Sequence, residues 1–259
     1  MLDNYEDFKQ SIYELTKVDL SSYKERQMKR RIEALIKKKG FTSFAEYFDK
    51  VKKDKDALEE FLEHITINVS EFYRNPEQWY ILENDVLPHL LERFGSDLNI
   101  WSAACSTGDE PYSLVMLLDK LIPNNRIKVL ATDLDKSVLE KAKRGLYTEK
   151  SLQNLPREFV IKHFDQISKE TYRISDSVKD RVEFRQHDLL KDPYPKNLNL
   201  IICRNVLIYF TSEAKNSIYK RFHESLRKDG ILFVGSTEQI IQYSRMGFEN
   251  YKSFFYKNL

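Results

Sequence analysis

The sequence predicts an α/β protein with two parts: a helical amino-terminal region and a larger domain built on a parallel-rich sheet. The first seventy residues contain one glycine, no proline and apolar side chains at helical spacing. From about residue 75, short apolar runs alternate with amphipathic segments, which is typical of strands and helices in a parallel sheet. Residues 148–181 fit neither pattern and indicate an insertion or small subdomain on the sheet.

Four helices are expected in the first part because its apolar residues recur at intervals of three and four. Ser21 or Ser22 should cap the second helix, which should stop at Gly40, and Thr42 or Ser43 should cap the third. The expected helices cover residues 5–15, about 22–39, a stretch including 44–51, and 56–65.

Strands and helices alternate in the second part. The run at residues 198–203 is almost wholly apolar, as expected for a strand buried on both faces. The other expected strands cover residues 98–103, 127–132, 182–186, 230–235 and 251–256, with short strands in the insertion near 171–174 and 182–184. The expected helices cover residues 78–93, 110–121, 136–144 and 212–226. In such a sheet, ligands bind at the carboxyl ends of the strands, near the switch in strand order.

Charge and cysteine content narrow the classes of function. With 42 basic and 40 acidic residues the net charge is +2, so overall composition gives no reason to expect a nucleic-acid partner. Cys105 and Cys203 are too few for a secreted disulfide scaffold, which favours the cytoplasm. Residues 1–10 carry Asp3, Glu6 and Asp7, and no stretch approaches the roughly 20 apolar residues that cross a bilayer. We therefore expect neither a signal sequence nor membrane insertion.

The segment from Trp101 to Ser113 joins an expected strand to an expected helix. Its small residues allow a ligand to approach the backbone closely. Only Gly108 is a glycine, so the fingerprint of dinucleotide sites is missing, and a turn without a ligand is the alternative. Asp133 ends the next strand, where an acid commonly accepts hydrogen bonds from a ribose diol. Its alternative role is the N-cap of the following helix, for which Asp135 competes.

Four segments are distinctive when they are taken together. They are Asn68-Val-Ser-Glu-Phe-Tyr-Arg74, Trp101-Ser-Ala-Ala-Cys-Ser-Thr-Gly-Asp-Glu-Pro-Tyr-Ser113, Ala131-Thr-Asp133 and Cys203-Arg-Asn-Val-Leu-Ile-Tyr-Phe210. In this order and spacing they resemble the CheR family, the chemotaxis receptor glutamate methyltransferases. The resemblance implies a Rossmann-like methyltransferase domain at residues 71–259, dependent on S-adenosylmethionine, with a β-subdomain inserted at about 148–183. An all-α receptor-docking domain at residues 1–70 should precede it.

The resemblance also implies which residues bind S-adenosylmethionine and its product S-adenosylhomocysteine. These are Asn68, Ser70, Arg74, Ala103, Glu110, Asp133, Asp188, Leu189, Arg204 and Asn205. Ser70 stands where the family often has threonine, and Asp188 where asparagine also occurs. An aspartate can accept a hydrogen bond from the adenine amino group but cannot donate one. Glu110 suits the ammonium group of the cofactor, although an acid in a first helical turn is also favoured by the helix dipole.

Methyl transfer from a sulfonium to a carboxylate needs neither an acid nor a base, because the leaving group is neutral and glutamate is ionised at neutral pH. The expected catalytic residues, Arg74 and Tyr209, should therefore position the acceptor carboxylate. Their alternatives are an interdomain salt bridge for Arg74 and a core position for Tyr209. No metal site is expected, because the histidines show no ligand spacing: His64, His89, His163, His187 and His223.

Residues 24–39 contain eight basic and two acidic residues. The resemblance implies docking on the acidic methylation helices of a chemoreceptor through Lys24, Arg30, Arg31, Lys37 and Lys38. The protein should then act as a monomer in the cytoplasm, transiently at receptor arrays, with no nucleic-acid partner. A solvated helix face and nucleic-acid binding are the alternatives for this helix. For the whole chain, the alternatives are a methyltransferase acting on RNA or a small molecule and a non-catalytic cofactor-binding regulatory module.

Overall fold

The structure is a computed structural model that describes residues 4–259. Met1–Asp3 lie outside the described residues, and Asp3, one of the acids that argue against a signal sequence, lies among them. The chain forms two compact units. The first runs to Asn68 and also includes Leu207–Ser217, while the second comprises Val69–Val206 and Ile218–Leu259. Among residues 4–259, no helix combines the length and apolar character needed to cross a bilayer.

The first unit is helical, as the apolar spacing predicts. Its helices are α1 (Tyr5–Thr16), α2 (Glu25–Lys38), α3 (Phe44–Lys53) and α4 (Lys55–Thr66). Three buried phenylalanines from different helices form its centre, because the ring of Phe8 lies 5.0 Å from that of Phe44 and 5.9 Å from that of Phe61. The helical prediction for this region is therefore confirmed.

One predicted helix start is confirmed and one is wrong. Ser43 caps α3, because its hydroxyl accepts a hydrogen bond from the Glu46 amide at 3.1 Å. Ser21 and Ser22 do not cap α2, which begins at Glu25. Both serines lie in a short 3-10 turn whose cap is Asp19, since its carboxylate accepts from the Ser21 amide at 2.9 Å. The local aspartate turn competes successfully with helix initiation here.

The segment Leu207–Ser217 is fastened to the first unit by backbone hydrogen bonds. The Tyr209 carbonyl accepts from the Lys24 amide at 2.8 Å, and the Thr211 amide donates to the Ser22 carbonyl at 2.9 Å. Tyr23 forms an isolated β-bridge with Phe210, and their rings are 4.7 Å apart. The first unit is thus assembled from two separate stretches of sequence.

The second unit contains ten strands and the remaining helices. The strands are β1 (Ile100–Ala103), β2 (Val129–Asp133), β3 (Leu146–Thr148), β4 (Phe164–Gln166), β5 (Thr171–Ile174), β6 (Val182–Gln186), β7 (Leu198–Cys203), β8 (Leu226–Val234), β9 (Phe248–Lys252) and β10 (Phe255–Asn258). The helices are α5 (Pro76–Ile81), α6 (Leu87–Phe94), α7 (Asp109–Leu118), α8 (Lys136–Arg144), α9 (Arg157–His163), α10 (Asp176–Lys179) and α11 (Ser212–Ser225), the last of which begins in the first unit.

The main sheet has seven strands in the order β6-β2-β1-β7-β8-β10-β9. The five strands from β6 to β8 are mutually parallel, and β10 is antiparallel to both of its neighbours. All six residues of β7 are buried, as its apolar run predicts. The chain extends the sheet on one side of β1 with β2 and β6, then on the other side with β7 and β8. The strand order therefore reverses between β1 and β7, where α/β proteins bind ligands.

The inserted β-subdomain is a three-stranded antiparallel sheet in the order β3-β5-β4. The predicted strand at residues 171–174 is confirmed as its central strand. Placing residues 182–184 in this insertion is wrong, because Val182–Gln186 pairs in parallel with Val129–Asp133 at the edge of the main sheet.

Element boundaries differ from prediction at three places. The predicted helix at residues 78–93 begins at Pro76 and contains a π-helical turn at Leu82–Val86 between α5 and α6. The strand expected at residues 230–235 begins earlier, at Leu226. The single strand expected at 251–256 is wrong, because β9 and β10 form a hairpin whose turn includes Phe254 with φ of 71°. A phenylalanine in the left-handed region gives no turn signal in the sequence.

Candidate active site

The carboxyl ends of the central strands bring several of the predicted site residues to one edge of the sheet. β1 ends at Ala103 and β2 ends at Asp133, while Arg204 and Asn205 directly follow β7. Glu110 lies in the first turn of α7, the helix that follows β1. Since β1 lies between β2 and β7, these residues surround the point where the strand order reverses.

Glu110 and Arg204 form a buried ion pair at this edge. Arg204 Nη1 lies 3.6 Å from Glu110 Oε2, and Ser102 Oγ donates to Glu110 Oε1 at 2.8 Å. Burial raises the pKa of Glu110, and the charge of Arg204 opposes that rise. The Glu110 side chain keeps 13% of its surface exposed, against 2% for Arg204. Glu110 is therefore the more exposed partner of the pair.

Arg204 Nη2 ties β7 to the segment that carries Arg74. Arg204 Nη2 donates to the Arg74 carbonyl at 2.7 Å, to Asn75 Oδ1 at 3.1 Å and to Gln78 Oε1 at 2.8 Å. The guanidinium also lies over the ring of Phe233, 4.7 Å from its centroid. Burial lowers the pKa of Arg204, while the neighbouring Glu110 carboxylate raises it. The contacts of Arg204 are thus largely with the protein itself.

Arg74 has a fixed backbone and a half-buried side chain. Its carbonyl accepts from Trp79 Nε1 at 3.1 Å as well as from Arg204, whereas its side chain donates through Nη1 to the Val69 carbonyl at 3.1 Å. Ser70, in the same segment, hydrogen-bonds the buried carboxylate of Asp109. This arrangement holds the main chain at Arg74 and leaves the guanidinium lightly bonded.

The turn after β1 is shaped by left-handed backbone at Ala104, Ser106 and Gly108, with φ of 62°, 50° and 87°. A Cβ on Gly108 would lie 2.9 Å from the Cβ of Ala142 in α8 and 3.1 Å from the ring of Tyr112. The one glycine of this turn therefore allows α7 to pack closely against α8, so packing accounts for its presence here.

Asp133 closes this turn from the neighbouring strand. One carboxylate oxygen accepts from the Ser106 amide at 2.8 Å and the other from the Asp135 amide at 3.0 Å. Asp135, not Asp133, caps α8, because it accepts from the Ser137 amide at 2.8 Å. Burial raises the pKa of Asp133 from 3.8 to about 6. A buried acceptor at a strand end is what the ribose-binding hypothesis requires.

Asp133→Asn should make the protein relatively more stable as the pH rises. Because the folded-state pKa of Asp133 is raised to about 6, its ionisation destabilises the fold progressively from about pH 4 upward. The free energy of unfolding of the variant, minus that of the wild type, should grow by about 2 kcal/mol between about pH 4.5 and about pH 7.5. Urea unfolding across this range measures the difference. A difference that does not change with pH would contradict the expectation.

Asp188 and Leu189 follow β6 in a tight turn. Asp188 Oδ1 accepts from the Leu190 amide, and the Asp188 amide donates to Asp192 Oδ2, each at 2.8 Å. The Leu189 carbonyl accepts from Tyr194 Oη and from Arg221 Nη1, each at 2.7 Å. Both residues therefore have rigid backbones before any ligand binds.

Tyr209 and three of the predicted docking residues line one cavity within the first unit. Its volume is about 440 Å³, and its walls are Lys24, Gln27, Met28, Arg30, Arg31, Ala34, His64, Ile67 and Tyr209. Arg31 and His64 are joined by two side chain-to-backbone contacts. Arg31 Nε donates to the His64 carbonyl, and His64 Nε2 lies 3.0 Å from the Arg31 carbonyl. Burial lowers the pKa of both side chains. Arg31 is therefore partly structural, whereas Lys24 and Arg30 are exposed.

The other predicted residues of this unit lie elsewhere. Lys37 and Lys38 are exposed at the end of α2 and are not among the residues that line the cavity. Asn68 ends the first of the unit's two stretches, and its side-chain amide donates to Thr66 Oγ1 at 3.0 Å.

Two residues of the Glu110–Arg204 cluster were missed by sequence reasoning. Ser102 is a buried polar residue in an apolar strand, a signal that was available. Gln78 lies 126 residues before Arg204 and carries no local signal for that contact. Within residues 4–259, no group of three or more histidine, cysteine or acidic side chains is arranged to hold a metal ion.

Comparison with known families covers nearly the whole chain. The family profile described as "CheR methyltransferase, SAM binding domain" matches residues 68–255, and the profile "CheR methyltransferase, all-alpha domain" matches residues 3–66. One profile ends at residue 66 and the other begins at residue 68. This boundary lies close to Asn68, where the first stretch of the helical unit ends.

Three similar proteins are named chemotaxis protein methyltransferases. A chemotaxis protein methyltransferase of Listeria monocytogenes is 45% identical over 92% of this chain and 91% of its own length. A protein of the same name from Borreliella burgdorferi is 34% identical, covering 88% of this chain and 85% of its own. Chemotaxis protein methyltransferase 1 of Pseudomonas aeruginosa is also 34% identical, covering 85% and 84%.

Proposed function

Because the chain belongs to the CheR family of S-adenosylmethionine-dependent methyltransferases, we propose that it methylates glutamate side chains of methyl-accepting chemotaxis receptors. The products are glutamate methyl esters and S-adenosylhomocysteine, formed in the cytoplasm during chemotaxis adaptation. The observation that carries the choice of substrate is the cavity on α2, where basic side chains, an apolar wall and Tyr209 occur together.

The edge of the sheet suits the cofactor chemically. Carboxylates gather there: Asp109 and Asp133 are buried, and the partly buried Glu110 pairs with the buried Arg204. Acceptors of this kind fit the ammonium group and ribose hydroxyls of S-adenosylmethionine. Glu110 would hold the ammonium group and Asp133 the ribose. Asp188 and Leu189 would border the adenine, while Asn68, Ser70, Ala103, Arg204 and Asn205 would complete the pocket.

S-adenosylmethionine, when bound, supplies an electrophilic methyl group and leaves as a neutral thioether. A glutamate carboxylate oxygen would replace sulfur on that methyl carbon, and the electron pair of the broken carbon–sulfur bond would remain on sulfur. The protein's task is therefore to position and desolvate the carboxylate. Arg74, whose guanidinium is lightly bonded, is suited to orient the carboxylate with paired donors. The Tyr209 hydroxyl would add a further hydrogen bond.

The cavity on α2 suits an acidic amphipathic helix. Lys24 and Arg30 are exposed at its rim, whereas Met28 and Ile67 supply an apolar wall. A receptor methylation helix presents acidic side chains beside apolar ones, so both kinds of contact are complementary. Charge complementarity would mainly raise the encounter rate and set the register of docking.

Charge reversal at the cavity rim should slow receptor methylation. The double variant Lys24→Glu/Arg30→Glu should lower kcat/KM for receptor at least about tenfold at low ionic strength, because opposite charges steer the encounter. Arg31 is left intact, because its contacts with the His64 backbone and ring help to hold the first unit together. The matched control is Lys52→Glu/Lys53→Glu, which makes the same charge change at exposed positions on α3.

Both double variants are assayed over increasing salt. The defect of the rim variant should shrink as screening increases, since the Debye length falls to about 8 Å at physiological ionic strength. Equal rates of receptor methylation by the rim variant and the wild type at low salt would show that the cavity on α2 does not dock the receptor.

A single assay tests the proposed reaction. Purified protein is incubated with methyl-labelled S-adenosylmethionine and receptor-containing membranes, and the label is then treated with base. Volatile methanol released by base identifies a carboxyl methyl ester. Base-stable label on RNA or on a small molecule would reject the proposed substrate. Tight cofactor binding without any transfer would instead indicate a non-catalytic regulatory module.

A further inference from the structure

A buried glutamate outside all four recognised motifs joins the ends of two central strands. Glu238 is 5% exposed and lies just after β8. Its Oε2 accepts a hydrogen bond from the Asn205 amide at 2.5 Å and another from the Gly235 amide at 3.0 Å. Its own amide donates to the Gly235 carbonyl at 2.9 Å. One carboxylate oxygen therefore bridges Asn205, the second residue after β7, and Gly235, the first residue after β8.

Gly235 makes room for this carboxylate. A Cβ at this position would lie 2.4 Å from Glu238 Oε2, 2.9 Å from the Asn205 amide nitrogen and 3.0 Å from Asn205 Nδ2. Its backbone is not left-handed, so conformational freedom does not explain the glycine. Close approach of Glu238 and Asn205 does explain it.

The bridged residue, Asn205, has a backbone that costs energy to hold. Its φ is 60°, in the left-handed region, which costs a residue with a side chain about 1 kcal/mol. Asparagine tolerates this region better than most residues, and the charge-assisted bond from its amide to Glu238 offsets the remaining cost. The same backbone angle sets the direction of the Asn205 side chain, which is half-buried at the edge of the sheet.

We propose that Glu238 is a positioning residue for the cofactor site. Its carboxylate holds the Asn205 backbone in the left-handed region, so that the Asn205 side chain is already aimed at the cofactor before binding. This inference rests on the proposed assignment of Asn205 to the cofactor site. Glu238 would act through Asn205 and not through its own contact with the cofactor or the acceptor.

The test measures the Kd of S-adenosylhomocysteine by calorimetry in four proteins: wild type, Glu238→Ala, Glu238→Gln and Asn205→Gly. Glu238→Ala should weaken binding at least about tenfold, the loss expected for one well-placed hydrogen-bonding group. Glu238→Gln should stay within about threefold of wild type, because its amide oxygen can still accept both backbone bonds. The KM for S-adenosylmethionine should rise in parallel with the Kd, while kcat changes less.

A double variant separates positioning from general stability. Glycine adopts the left-handed region freely and has no side chain to orient. The double variant Asn205→Gly/Glu238→Ala should therefore bind S-adenosylhomocysteine less than about twofold more weakly than Asn205→Gly alone. Should Glu238→Ala fail to fold, Glu238→Asp provides the second route, because its shorter side chain withdraws the carboxylate from the two amides and should weaken binding similarly.

The outcomes are distinguishable. Wild-type affinity in Glu238→Ala with a lowered Tm would overturn the inference and leave the proposed function intact. Equal weakening by Glu238→Gln and Glu238→Ala would overturn it as well, since charge and not the backbone bridge would then be responsible. Undiminished affinity in Asn205→Gly would show that Glu238 does not act through Asn205. Failure of the wild type to bind S-adenosylhomocysteine would reject the proposed cofactor site itself.

Discussion

Arg74→Ala is expected to lower kcat for receptor methylation at least about a hundredfold while leaving the protein folded. The contacts that organise this segment use the Arg74 carbonyl, which accepts from Trp79 and Arg204, and alanine keeps that carbonyl. Only the bond from Nη1 to the Val69 carbonyl is lost from the fold. A folded protein that cannot orient the acceptor carboxylate is therefore the expected result.

Two measurements check this expectation: initial rates with receptor membranes, and the thermal midpoint Tm. Arg93→Ala is the matched control, because Arg93 is an arginine of the same unit with an exposed side chain paired to Asp229. Arg74→Lys should be intermediate, since lysine keeps the charge but not the paired donors. Near-normal methylation by Arg74→Ala would remove Arg74 from the catalytic mechanism.

Arg204→Met is expected to lower the free energy of unfolding by about 3–5 kcal/mol, because it leaves the buried Glu110 carboxylate without its cation. The variant also leaves Gln78 and the Arg74 carbonyl without their shared donor. Arg126→Met is the matched control. Arg126 pairs with Asp97 at 3.0 Å, but both side chains are more than half exposed, so the cost should stay below about 1 kcal/mol.

The decrease in the free energy of unfolding caused by Arg204→Met should depend on pH. Burial raises the pKa of Glu110 and Arg204 restrains that rise, so removing Arg204 raises the pKa of Glu110 further. An acid whose folded-state pKa is raised destabilises the fold as the pH rises through it. The variant should therefore lose more stability at about pH 8 than at about pH 5. Adding Glu110→Gln should recover part of the loss at the higher pH. Chemical unfolding that gave the same loss at both pH values would argue against an uncompensated Glu110.

Local patterns predicted the layered fold because burial and periodicity leave a direct trace in the sequence. The apolar run of β7 and the spacing of Phe8 and Phe61 in their helices identify residues that face the core. The hairpin at the carboxyl end left no such trace, since its turn contains Phe254 where glycine or asparagine would be typical. Ser22 failed as a cap because Asp19, three residues earlier, accepts from the adjacent amide and from the Ser22 hydroxyl.

The candidate site also contains residues that the sequence could predict and residues that it could not. Asp133 could be identified because it ends a predicted strand, whereas Glu110 and Asn205 were identified through the family resemblance. Their partners could not, because Gln78 and Glu238 are brought to the site only by the tertiary fold. Bonds between residues distant in sequence have no period or spacing from which they can be read. The assignments of individual residues to cofactor and acceptor stay predictions until the variants are measured.

The two-part composition of the first unit constrains how receptor preference could be exchanged between related enzymes. A chimaera that transplants only the contiguous amino-terminal segment would join a new α2 to the old Leu207–Ser217. The Tyr23–Phe210 ring pair and the bond from the Lys24 amide to the Tyr209 carbonyl would then be made between residues of different parents. Tyr209 would also line a cavity whose other walls came from the donor. If this unit docks the receptor as proposed, successful exchange requires both segments to move together, because the docking cavity is built from both.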